Sequence, residues 1–156
     1  MSNISSFEEQ LALHGRIIYT NVGDSMMPLI KEGRDVMIIE RPTGRLRKGD
    51  VPLYIRDNGQ YVLHRVLKVL PDGYIICGDN RASLERDITD HHIIGVLTGL
   101  IRDGREISFD TFSYKLYRFW ICELYFIRFA IFKFRALIRR VIGIFKPRKR
   151  KGNNRK

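Results

Sequence analysis

Between residues 16 and 109 the chain is written as short apolar runs separated by turn formers, and this punctuation restricts the fold more than any other feature. The runs at 16–21, 35–40, 51–55, 61–70, 74–77 and 93–101 are short and rich in Ile, Val, Leu and Tyr. Between them stand Glu32-Gly33, Asp57-Asn58-Gly59, Pro71-Asp72-Gly73 and Asp103-Gly104, which are turn-forming sequences. Many short strands with tight turns and little helix predict a mainly β, compact, antiparallel, barrel-like domain. Asn58-Gly59 predicts a primed hairpin turn, with positive φ at both centres, between the strands holding Val51 and Tyr61. Asp103-Gly104 predicts a second hairpin, between Ile101 and Ile107. Pro52 predicts an edge strand or a strand start, because proline has no ladder N–H to give.

Helices are expected at the two ends. Ser6 can cap a short helix that carries Glu8 and Glu9 in its first turn and stops at Gly15. From Tyr114 onward there is no glycine before Gly143 and no proline before Pro147, so this segment can run as one long helix. At 100° per residue, Leu116, Phe119, Trp120, Ile127, Ile131, Phe134, Leu137 and Ile138 share a broad side. Lys115, Arg118, Arg128, Lys133, Arg135, Arg139 and Arg140 fall on the other. Glu123 interrupts the apolar side, and Phe129 and Phe132 interrupt the polar one. No uncharged run here approaches the ~18–20 residues of a spanning helix, so the segment suits lying on a bilayer better than crossing it.

Charge divides the same way. Residues 1–112 hold 14 basic and 16 acidic side chains, whereas residues 113–156 hold 14 basic ones and only Glu123 as an acid. The net charge of +11 therefore resides in the C-terminal part. Such a segment seeks a polyanion, and its wide apolar side favours an anionic membrane surface over nucleic acid. The expected organisation is a catalytic domain at 1–112, an amphipathic helix at 113–146 and a basic tail at 147–156. Cys77 and Cys122 lack metal-like spacing; a reducing compartment fits them, although two cysteines can also pair. The first residues have neither the basic nor the apolar region of a cleavable signal peptide. The expected location is cytoplasmic and peripheral to the membrane.

One stretch invites chemistry. Gly23-Asp24-Ser25-Met26-Met27-Pro28 follows an extended run and places a serine in a sharp turn. A serine hydroxyl becomes a nucleophile only beside a base, and His64, on another strand, has a suitable pKa. Strand alternation puts His64 on the same side as Val62 and Val66. A third group should accept the other imidazole N–H; Asp79, at the end of the following strand, is the expected partner. Met26, Met27 and Pro28 are expected to wall a substrate pocket, with core as the other reading of Met26, Met27 and Leu29, and backbone N–H groups at Gly23 and Ser25 to form an oxyanion hole. His14, Asp24, His91 and His92 read as packing or surface residues.

These boxes resemble those of the signal peptidase I and LexA-like serine peptidase superfamily. Ser25-Met26-Met27-Pro28 looks like the nucleophile box, Lys48-Gly49-Asp50-Val51 the structural box, His64-Arg65-Val66 the base box and Gly78-Asp79-Asn80 the last box. Ile94-Gly95-Val96 looks like the strand after it. They occur in the superfamily's order across roughly half the chain. Histidine in the base box resembles the endoplasmic-reticulum and archaeal type; the bacterial type has lysine. The resemblance implies Ser25 as nucleophile, His64 as base and a second acid shortly after Asn80. Glu85, Asp87 and Asp90 are the candidates, Glu85 being nearest in spacing. Where signal peptidases often have a hydroxyl residue two before the nucleophile, this chain has Gly23.

The implied function is an endopeptidase that cleaves an extended peptide or preprotein, laid as an added strand beside the catalytic sheet. It needs no cofactor and no metal. A LexA-like self-cleaving regulator is one alternative, set against by the histidine base and the short segment before Ser25. A non-catalytic membrane-surface module is the other.

Overall fold

The computed structural model describes residues 6–20 and 22–144. Ser6 caps the first helix, α1 (Phe7–His14), through a capping box: its hydroxyl accepts from Glu9 N, and the Glu9 carboxylate accepts from Ser6 N. Gly15 ends α1 in the left-handed conformation. Among the described residues nine strands follow, β1 (Arg16–Thr20), β2 (Asp35–Glu40), β3 (Pro52–Ile55), β4 (Tyr61–Leu63), β5 (Arg65–Leu70), β6 (Gly73–Cys77), β7 (Glu85–Ile88), β8 (Ile93–Arg102) and β9 (Arg105–Ser108). Every described pairing is antiparallel. The larger sheet runs β1-β2-β8-β3-β4 with β9 on β8, and the smaller runs β5-β6-β7. The architecture is thus mainly antiparallel β, with a curled sheet and a short N-terminal helix, as the turn spacing predicts.

The two expected hairpin turns separate in kind. Asp103 and Gly104 both have positive φ and join Arg102 to its partner Arg105, a two-residue primed turn. The Asn58-Gly59 loop is longer: Ile55 faces Tyr61, and Arg56 N–H donates to Gln60 O at 3.0 Å. Only Gly59 there has positive φ, because Asn58 spends its side chain accepting from Gln60 N, an Asx-type closure. Pro52 opens β3, which lies between β8 and β4, so it marks a strand start and not an edge.

The main core gathers Leu11, Ile17, Met26, Ile30, Met37, Ile39, Val51, Leu53 and Leu100 between α1 and the larger sheet. A second cluster around Tyr54, Val66, Tyr74 and Ile76 fills the space between the sheets. Asp35 is buried against Arg34 and Arg102. Burial alone would raise its carboxyl, but these two guanidiniums hold it well below the usual carboxylate range.

The single long helix expected at the C-terminal end is two helices, α2 (Phe112–Glu123) and α3 (Tyr125–Ile144), broken at Leu124. The cause is visible on both sides of the break. Glu123 is held by Lys48 at 2.7 Å, and Arg128 turns inward and is buried. Arg128 is therefore not on the exposed polar side where periodicity puts it. Its Nη1 donates to Asp79 O at 2.9 Å. Cys77 and Cys122 are both free and buried in one cluster with Leu67, and burial pushes the Cys77 thiol up to about 11. No helix among the described residues is long and apolar enough to cross a membrane. The basic tail at 147–156 lies outside the described residues.

Candidate active site

The chain leaves the larger sheet and enters the smaller one at His64. This residue falls between β4 and β5, so the expected continuous strand from 61 to 70 is interrupted there. The crossing is fixed by the turn around Gly49. Gly49 N donates to Val66 O at 2.9 Å, and Val66 N donates to Asp50 O at 2.8 Å. Lys48-Gly49-Asp50-Val51 is thus a backbone clamp on the base segment and contributes no side chain to His64.

His64 is 6% exposed. Its Nδ1–H donates to Glu85 Oε1 at 3.0 Å, with the Tyr54 hydroxyl 3.1 Å from the same nitrogen. Arg56 grips Glu85 through two bonds, Nε to Oε2 at 2.8 Å and Nη2 to Oε1 at 2.6 Å. Burial would raise the Glu85 carboxyl, but the Arg56 fork, Tyr54 and His64 together take it below its ordinary value, so it is ionised at neutral pH. An ionised carboxylate can only accept. The imidazole must therefore carry its proton on Nδ1 and present the Nε2 lone pair. Burial lowers the His64 pKa, partly opposed by the Glu85 charge, and the ring is neutral near pH 7.

That partner differs from the expected one. The Asp79 carboxylate faces away from the imidazole and accepts a bidentate bond from Arg65, Nε to Oδ1 at 2.8 Å and Nη2 to Oδ2 at 2.7 Å. Arg65 is wholly buried. A buried guanidinium demands a carboxylate, and this demand takes Asp79 out of reach of His64. Tyr117 adds a bond to Asp79 Oδ2 at 2.7 Å, and Arg65 Nη1 donates to Gly49 O. Asp79 thus ties Arg65, and through it the Gly49 turn, to α2, while Glu85 occupies the position next to the histidine. Asp87 is exposed and lines a separate open cleft. Asp90 accepts from the Tyr74 hydroxyl.

Ser25 is brought to His64 by the turn after β6. Asn80 N donates to Ser25 O at 2.8 Å, and Asn80 Nδ2 donates to Asp24 O. A carbon placed on Gly78 would lie 2.8 Å from Ser25 O and 3.0 Å from His64 Nε2. The serine backbone and the basic nitrogen therefore flank one side-chain-free position. Ser25 and His64 both line an open cavity of about 560 Å³. No hydrogen bond joins their side chains. Gly23 N–H donates to Glu32 Oε2 at 3.0 Å, so it is engaged and not aimed at an oxyanion. Among the described residues no acceptor engages the Ser25 N–H.

The pocket walls also depart from expectation. Met26 is fully buried in the core, and Met27 and Pro28 lie outside the cavity. Met26 faces inward because the turn 24–30 closes on it, Ile30 N donating to Met26 O. The walls are instead strand side chains, Tyr19 of β1, Met37 and Ile39 of β2, Leu53 of β3 and Leu63 of β4. Arg56 and Arg81 stand at the same cavity, and Arg81 is paired with Asp24, which is exposed as expected.

Sequence patterning misses Tyr54 and Arg56, since a strand tyrosine and a loop arginine carry no signal of their own. It also misses β7, whose residues Glu-Arg-Asp-Ile do not alternate. Among the described residues no cluster of His, Cys, Asp or Glu could hold a metal ion. No protein-family model, curated protein or solved structure matches the chain.

Proposed function

We propose that this chain is a serine endopeptidase of the signal peptidase and LexA-like type, acting on an extended peptide with Ser25 as nucleophile and His64 as general base. The observation that carries the reading is the relay Arg56–Glu85–His64, which leaves a neutral imidazole with its lone pair on Nε2, on a residue that lines the same cavity as Ser25.

In this mechanism His64 Nε2 takes the Ser25 hydroxyl proton as Oγ bonds to the scissile carbonyl carbon. The Ser25 N–H is the donor at hand for the developing oxyanion. Glu85 holds the ring in its tautomer and stabilises the imidazolium. His64 then gives its proton to the leaving amine as the C–N bond breaks. Water attacks the resulting ester with His64 again as base, releasing the acid product and Ser25. Peptide backbone enters between the rims of β1 and β4, and the small apolar recess formed by Met37, Ile39 and Leu53 receives a modest apolar side chain.

The test is mass-spectrometric cleavage mapping on a pool of extended peptides. Wild-type protein is expected to cut at a restricted set of bonds, and Ser25→Ala and His64→Ala variants of unchanged circular dichroism are expected to cut none. Cleavage retained by Ser25→Ala would remove Ser25 from the chemistry.

A further inference from the structure

Helices α2 and α3 are two-sided. One side is spent on the domain: Tyr117 on Asp79, Ile121 and Cys122 in the interior, and Arg128 on the Asp79 carbonyl. The opposite side is apolar and covered by none of the described residues. On α2 it carries Leu116, Phe119 and Trp120, and on α3 Phe126, Ile131, Phe134, Leu137 and Ile138, with Phe134 63% exposed. Solitary exposed apolar residues are ordinary, whereas a continuous stripe of them marks an interaction surface. At 100° per residue the α3 stripe spans about 140°, and the cations Lys133, Arg135, Arg139 and Arg140 border it on both edges. There is no acid in α3, and the sequence after it adds seven more Lys and Arg in twelve residues.

We infer that this face seats on an anionic lipid surface, its aromatic and aliphatic side chains entering the acyl boundary and its flanking cations meeting the headgroups. The charge pattern selects this occupant. A second copy of the chain would press like-charged borders together with no acid on α3 to compensate. A polynucleotide would meet the cations but leave the apolar stripe in water. Lipid satisfies both at once. The inference does not rest on the peptidase reading, since it uses no residue of the candidate site.

The full chain carries its own reporter, because Trp120 is the sole tryptophan and lies on the uncovered side. Added phosphatidylglycerol vesicles should shift its emission to the blue and carry the protein into the pellet. Pure phosphatidylcholine vesicles should do neither, and high salt should release the protein. The double variant Arg135→Gln/Arg139→Gln should bind about 30-fold more weakly, from ~1 kcal/mol for each cation near an anionic leaflet. Phe134→Glu, an exposed position with no core role, should lose binding while keeping the wild-type melting transition. Ser25→Ala should bind as wild type does, which separates this result from the enzymatic one. The inference fails if anionic vesicles leave Trp120 emission unchanged, if neutral vesicles bind equally, if duplex DNA strips the protein from vesicles, or if the free protein is a dimer with Trp120 already shielded.

Discussion

Glu85 accepts the Nδ1 proton of His64 at 3.0 Å, while Asp79, ahead of it in the chain, gives both carboxylate oxygens to Arg65. The acid expected beside the histidine and the candidate second acid thus exchange places, and their variants should fail differently. Glu85→Gln keeps the shape but cannot impose the Nδ1–H tautomer, and should lower kcat on the order of 10²–10⁴-fold with little loss of stability. Asp79→Asn leaves the buried Arg65 without a counter-charge and should cost about 3–5 kcal/mol in urea unfolding. If Glu85→Gln cleaved peptides at the wild-type rate, the imidazole would need another partner.

The pH profile offers an independent check. Burial disfavours the His64 cation, and Glu85 partly opposes that effect. Only the neutral ring accepts a proton, so kcat/KM should rise with pH along an acid limb that lies below the ordinary histidine value. Removing the Glu85 charge leaves desolvation less opposed, so the residual activity of Glu85→Gln should have its limb at lower pH still. A limb that moved to higher pH in that variant would contradict the electrostatic account, whatever its rate.

The difference between the two acids explains what the sequence could and could not disclose. Strands β2, β6 and β8 were legible because their apolar runs are bounded by glycine and proline turns, and a primed turn at Asp103-Gly104 follows from residues that tolerate positive φ. Ser25 and His64 could be singled out by residue type, and both line one cavity. The partner of His64 could not, since Asp79 and Glu85 are both carboxylates in the right order, and the choice is made by Arg65, a buried cation whose burial no local pattern reveals. Arg128 escaped for the same reason: helical periodicity puts it on the polar side, and its bond to the Asp79 carbonyl holds it inward. The walls of the cavity come from four strands, and Met26-Met27-Pro28 does not say which of its residues is core and which is exposed.

Gly78 carries a steric prediction. A methyl group there would stand 2.8 Å from the Ser25 carbonyl oxygen, 3.0 Å from His64 Nε2 and 3.0 Å from Arg81 Cγ. The arginine chain can move, but the Ser25 backbone is tied by Asn80 N. Gly78→Ala should therefore push the serine and the base apart, lowering kcat at least about 10²-fold through misplacement alone, with unfolding free energy changed by less than the Asp79→Asn loss. Full activity in Gly78→Ala would mean that Ser25 and His64 do not cooperate across this gap.

Tyr117 links α2 to the turn that follows β6. Its hydroxyl donates to Asp79 Oδ2 at 2.7 Å, and burial together with the Asp79 charge raises its pKa far above the ordinary tyrosine value, so it remains a donor at any working pH. Arg65 stacks near the same ring, 5.6 Å from its centroid. Tyr117→Phe keeps the ring, and with it the packing and the cation–π contact, and deletes one charge-assisted bond to a buried carboxylate. The expected cost is about 1–3 kcal/mol of unfolding free energy. Asp79 Oδ2 keeps its bond from Arg65, so the turn that presents Asn80 to Ser25 loosens without releasing, and kcat should fall by less than in Glu85→Gln with the acid limb unmoved. A Tyr117→Phe protein as stable as wild type in urea would show that α2 is held by its apolar contacts alone, and the connection from these helices to the turn after β6 would then run through Arg128 and the Asp79 carbonyl.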